Sequence, residues 1–210
     1  MLSFDEVKLI LLSMQVAALG TLIGLPIALW IAWLLAKSSI RGKPVLDTLV
    51  SFPLVLPPVV TGYVLLLVLG RSGPIGSILH DVFGVDVVFT WVAAALAAGL
   101  VALPLMVRTI EVAMAGVDPR LERASRSLGA GPIKTFLSVT VPLAYRGIIA
   151  AILLAFARGL GEFGATIVVA GNIPGKTQTI PLFIYNHIQM GDDAAAIRLM
   201  LASMLLALIS

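Results

Sequence analysis

"DPRLERASRSLGAG", residues 118–131, is the most polar helix-like stretch in a chain otherwise dominated by apolar residues. Its two ends carry the marks of a helix. Asp118 can accept from the first unpaired backbone N–H groups. Pro119 suits the first helical position, where an N–H would have no partner anyway. Gly129 suits the left-handed residue just past the end. Between them Leu121, Ala124, Ser125 and Leu128 recur at i, i+3, i+4 and i+7 on one narrow face, while Arg120, Arg123 and Ser127 fall largely elsewhere. The spacing predicts a helix of about ten residues with a small-residue face and a cationic flank. Such a helix has two uses. It can lie on anionic lipid through its arginines, or it can dock against another protein. The face has no Trp or Phe to anchor in a membrane interface, and its small residues permit close approach, which favours a protein.

Around this stretch the composition is that of a membrane protein. Of 210 residues, 60% are hydrophobic and 12% charged, where a soluble domain carries about 25% charged residues. The mean hydropathy is +1.08. Five segments are long and apolar enough to cross a bilayer, which takes about 20 residues each. They cover about 7–36, 45–69 and 87–107, a fourth from about 141 to between 160 and 170, and a fifth from about 194 to 210. The first is longer than required, which predicts tilt or protrusion. Asp5 and Glu6 precede it without a small-residue cleavage site, so it does not read as a removable signal peptide.

Composition also excludes function classes. The chain has no cysteine and only two histidines, His80 and His187, so disulfides and thiolate metal sites are ruled out and an imidazole site has few ligands. The spans hold no paired Asp, no Ser–His and no metal-ligand set, which argues against an intramembrane enzyme. A secondary transporter driven by an ion gradient needs a titratable relay inside its spans, and Glu162 is its one candidate here.

Lysines and arginines set the orientation. Lys37, Arg41 and Lys43 follow the first span, and Arg108, Arg120, Arg123, Arg126 and Lys134 follow the third. The other side holds Lys8, Arg71 and Lys176. The basic side is expected in the cytoplasm, with the N-terminus outside and residues 118–131 facing the cytosol.

The run Glu122-x-Ala124-Ser125-x3-Gly129, then Val139-Thr140-Val141-Pro142 after nine further residues, resembles the "EAA" loop of ABC-importer permeases, EAA-x3-G-x9-I-x-LP. Arg123 stands where the usual Glu is found, with Glu122 one place early, and Val139 and Val141 replace Ile and Leu. Three more strings, Phe52–Tyr63 (FPLVLPPVVTGY), Ala157–Thr166 (ARGLGEFGAT) and Asn172–Pro181 (NIPGKTQTIP), resemble the molybdate branch of the oxyanion permeases, with sulfate and tungstate relatives close by. The resemblance implies a type I importer permease fold: an all-α membrane protein of about five transmembrane helices, one domain over residues 1–210, with a coupling loop at about 109–140 and an outer, gate-forming segment at about 164–193. It implies a homodimer in the cytoplasmic membrane of a prokaryote, surrounded by lipid. Its partners are two ABC ATPase subunits inside and a periplasmic or lipid-anchored solute-binding protein outside, with no nucleic acid. This chain then binds no cofactor, since ATP and Mg sit on the ATPase. Members of the family usually continue a little beyond the point where this chain ends. Leu121, Glu122, Ala124, Ser125, Leu128 and Gly129 become the candidates for coupling to the ATPase.

Candidates for the path are Pro53, Pro57, Pro58, Arg158, Glu162 and Thr166. The three prolines interrupt the second span, either as tolerated kinks or as a broken helix lining the path. Arg158 and Glu162 are four apart near the middle of the fourth span. They are either a neutralised structural pair or a pathway element in which Arg158 attracts the oxyanion and Glu162 tunes it. Gly159, Gly161 and Gly164 around them permit bending, and Gly20 and Gly24 offer a close helix contact. One further string misleads. Ala170–Thr177 (AGNIPGKT) fits a loosened phosphate-binding loop, but no strand is expected before it, and Pro181 is expected to break the helix that should follow. An outward loop that meets a solute-binding protein or shapes the mouth of the path fits it better.

Overall fold

The computed structural model describes residues 4–37, 41–192, 196–201 and 203–204. Two long helices form its frame. Helix α1, Phe4–Lys37, has 34 residues and is therefore about 51 Å long at 1.5 Å per residue, well beyond a hydrocarbon layer of about 30 Å. Helix α5, Trp91–Ala115, is also long and apolar enough to cross a membrane. The two pack backbone to backbone. A Cβ added at Gly20 would lie 2.5 Å from the Ala95 carbonyl, and one added at Gly99 would lie 2.6 Å from that of Gly20. Gly24 is a looser neighbour, 3.6 Å from the Met106 side chain. The expected glycine contact is therefore real, but its centre is the pair Gly20–Gly99. Six alanines of α5, Ala93, Ala94, Ala95, Ala97, Ala98 and Ala102, are essentially inaccessible and extend the seam. Such small-residue surfaces hold membrane helices together by dispersion at close range.

The second and fourth spans are broken. Helix α2, Lys43–Val55, and helix α3, Pro58–Leu69, meet at 110°. The cause is the proline pair. Pro57 forces Leu56, and Pro58 forces Pro57, into extended backbone (ψ 140° and 134°). Pro58 then opens α3 at a position where its missing N–H is harmless. Pro53, expected to interrupt the span as well, lies inside α2 and does not end it. After a hairpin containing the short α4, Gly76–Phe83, comes α5. It runs eight residues past the end of the apolar segment expected from sequence, and there Arg108, about a third exposed, finds polar partners on neighbouring turns. It pairs with Asp47, bonds Glu111 at 3.0 Å and donates to Ser51 Oγ at 2.6 Å. On the α4 hairpin Arg71 forks onto Asp86, and this hydrogen bonding holds the Asp86 carboxyl below its ordinary value.

The polar helix α6, Pro119–Ser127, comes next, and the fourth span then begins with α7, Pro132–Thr135, followed by a π turn, Phe136–Thr140, and α8, Val141–Leu143. Pro142 has no N–H to donate, which disturbs the ladder at this point. Beyond Ala144 the chain bends by 76° into α9, Tyr145–Leu160. Helix α9 packs on α1 and α5, and α10, Gly164–Val169, restarts the span after a second break. The two restarts pack on each other: a Cβ at Gly62 would lie 2.5 Å from the Ala165 carbonyl. Helix α11, Ile180–Met190, follows the loop 170–179. Residues 196–201 and 203–204 are helical, with Leu199 inaccessible. The rest of the expected fifth span lies outside the described residues. Many large apolar side chains face outward, among them Leu22, Trp30, Val55 and Leu67, as lipid-facing or subunit-facing surfaces require.

Candidate coupling surface and translocation path

The polar helix α6 forms as its ends dictate. Asp118 accepts from the Arg120 N–H at 2.8 Å, Pro119 is the first helical residue, and Gly129 sits at φ +87°. The N–H groups of Gly129 and Ala130 close the last turn onto Arg126 and Ser125. The face expected from spacing points away from the rest of the chain. Leu128 is 88% exposed and Leu121 49%, and Ala124 is exposed with them. Ser125 is half-buried and its hydroxyl lies 3.3 Å from that of Thr135. Glu122 faces the opposite way. It is buried, pairs with Lys37 at 3.3 Å and accepts from Thr140 Oγ1 at 2.7 Å. An apolar, small-residue face is thus held out by a polar inner face.

Arg158 and Glu162 do pair, Nη1 to Oε2 at 2.9 Å, but across a helix break rather than along one helical face. Arg158 lies in the last turn of α9, where a cation suits the carbonyl end. Glu162 Oε1 accepts from the Ala165 N–H at the start of α10, where an anion suits the N–H end. The Glu162 side chain is 2% exposed and that of Arg158 36%. Thr166 and Thr61 are buried and their hydroxyls find no partner among the described residues. Pro58 borders this region, since a Cβ at Gly164 would lie 2.9 Å from that of Pro58. Of the residues expected in the path, Pro57, Pro58, Arg158, Glu162 and Thr166 thus sit at or beside the two broken spans, and Pro53 lies within α2.

The loop 170–179 is no phosphate cradle. A helix precedes it, and the N–H groups of Lys176, Thr177 and Gln178 all point to the Ile173 carbonyl. Thr177 Oγ1 accepts from the Ile173 N–H. Pro181 does not break the next helix; it lies in the first turn of α11, where proline is accommodated. Between this loop, α11 and the first turns of α1 lies a cavity of about 740 Å³ lined in part by Gln15, Gln178 and Asn186. Lys37 and Thr140 escaped the sequence reading as site residues. Lys37 counted only toward topology, and Thr140 fills the variable position of its motif.

Two broken spans thus stand beside the long pair α1 and α5, with a capped helix held out at one end. Residues 24–210 match the family described as binding-protein-dependent transport system inner membrane component, and the chain belongs to that family. It is 49% identical over 210 residues to the molybdenum transport system permease protein ModB of Escherichia coli K12, covering 100% of this chain and 92% of that one. It is 45% identical to ModB of Haemophilus influenzae, covering 98% and 90%. Among solved structures, a bacterial ABC transporter involved in the import of the acidic polysaccharide alginate matches with a TM-score of 0.68 at 17% identity, covering 99% of this chain and 78% of that one. That likeness bears on the fold alone.

Proposed function

We propose that this chain is the permease subunit of an ABC importer for molybdate, driven by ATP hydrolysis on a separate subunit. The observation that carries the reading is 49% identity over the whole chain to a molybdenum transport permease. Two copies form the path, two ATPase subunits dock on the exposed face of α6, and a solute-binding protein delivers the anion from outside. This chain performs no covalent chemistry and binds no cofactor. ATP closes the ATPase pair, α6 moves with it, and the broken spans rearrange from inward to outward access. Arg158 commits one nitrogen to Glu162 and stays partly exposed, which leaves guanidinium donors for a tetrahedral dianion. Thr166 offers a hydroxyl with no partner among the described residues, and Pro57 and Pro58 hold the break open to rearrangement.

Vesicles containing this chain, its ATPase and the solute-binding protein are expected to take up molybdate when ATP is supplied on the ATPase side. Uptake of sulfate but not molybdate would change the substrate. Uptake under an ion gradient without ATP would overturn the class. The orientation follows from the basic residues, with position 123 cytoplasmic and position 176 outside. Single cysteines placed at these positions in the cysteine-free chain check it. An impermeant thiol reagent added outside should label position 176 and spare position 123, and the reverse pattern would invert the topology.

A further inference from the structure

We infer that Lys37, Glu122 and Thr140 form a buried strut that fixes the inner face of α6 to α1 and to the π turn, and that these three are positioning residues for coupling. The inference rests on the proposed function. Each oxygen of the Glu122 carboxylate is engaged by a different element. Oε2 meets Lys37 Nζ at 3.3 Å, at the last residue of α1. Oε1 accepts from Thr140 Oγ1 at 2.7 Å, at the last residue of the π turn. Lys37 Nζ also donates to the Val117 carbonyl at 2.9 Å, one residue before the cap of α6. The Lys37 and Glu122 side chains are only 12% and 10% exposed, and Thr140 is 1% exposed.

The chemistry is unusual for a mere adhesive contact. A buried ion pair repays its desolvation only with good geometry and further hydrogen bonds, and an apolar contact would hold two helices at least as well. What a pair of this kind adds is register, because its partners have no alternative position. The connected elements also matter. Helix α1 is half of the rigid seam with α5. The π turn precedes the 76° bend into α9, and π turns are places where a helix can change its local winding. A displacement of α6 by the ATPase therefore reaches the frame through Lys37 and the bent span through Thr140, instead of being absorbed in loop 116–118.

The sharpest test is Thr140→Val, which keeps the shape and removes one hydrogen bond, beside Thr140→Ser, which restores it. In the assembled transporter the valine variant should hydrolyse ATP near the parental rate, with uptake per ATP about tenfold lower, within the range of ordinary site-to-site coupling. Serine should restore the ratio. Valine coupling like the parent overturns the strut. A second measurement needs no substrate. Nitroxides at positions 41 and 126, both exposed in the parent, should give a single distance in the parent complex and a broadened one with Thr140→Val or Glu122→Gln. An unchanged distribution also overturns the strut. If the parent itself moves no molybdate, the proposed function fails, and the nitroxide distances still decide the strut.

Discussion

Arg158→Leu is expected to abolish most uptake while costing far less in folded yield. Leucine leaves Glu162 buried and unpaired, which for a buried pair amounts to about 3 kcal/mol or more. The lower end applies, because Arg158 is itself partly exposed and Glu162 keeps its bond to the Ala165 N–H. The double change with Glu162→Gln removes this penalty, since the amide oxygen can still accept from Ala165. Yield should then recover. Uptake should not, because the guanidinium that would meet the dianion is gone. A hydrogen bond to a charged group contributes about 1.5–3 kcal/mol, so uptake per folded transporter should fall at least about tenfold. Yield by fluorescence-detected gel filtration and oxyanion uptake in vesicles separate the two effects. A double mutant that transports normally would make the pair a structural brace across the helix break and nothing more.

At α6 the largest effects are expected from Gly129→Val and Ala124→Trp. A Cβ at Gly129 would meet nothing within 4 Å, so the valine causes no clash. Its effect is on the backbone: φ of +87° costs a β-branched residue about 1–2 kcal/mol, and the turn that ends α6 should relax toward negative φ. Asparagine, which tolerates this region, should be nearly neutral. Ala124 is exposed, so tryptophan there fits the isolated chain and obstructs only what docks on it. Both variants should insert and dimerise normally. Both should bind the ATPase more weakly, or bind it with hydrolysis no longer stimulated by substrate. ATP hydrolysis measured beside uptake is the readout. Variants that bind and couple like the parent would make α6 a lipid-surface helix.

Features governed by one or two neighbouring residues were legible in the sequence. Asp118, Pro119 and Gly129 announce the ends of α6, and Pro57–Pro58 announces a break, because each acts on its own backbone. What depended on distant partners was hidden. Gly20 carried a contact signal, but nothing marked Gly99 as its counterpart. Arg108 looked like the end of a span, since its partners Asp47 and Ser51 lie some sixty positions away. Glu122 was expected on the docking helix as a coupling residue, but nothing in the spacing showed that Lys37 and Thr140 would draw it inward, away from the exposed face. Pro181 looked like a breaker because its effect depends on whether it falls in the first turn or the interior, and the start of α11 had no clear cap. The residues expected in the path, apart from Pro53, are brought near one another by the packing of α3 on α10, which no spacing in the chain encodes.

The seam between Gly20 and Gly99 bears on how the protein is made. Its halves are separated by most of two spans in the chain. Ribosomes add about 5–20 residues per second, so α1 ends about 4–16 s before the last residue of α5 has been joined. During that interval the first helix stands in lipid with its glycine groove filled by acyl chains. The groove is a poor nucleus in a bilayer, where apolar surfaces gain little by leaving lipid for each other. Insertion of α1 therefore precedes its close packing, and the seam can close only once about half of the chain, through α5, has been joined.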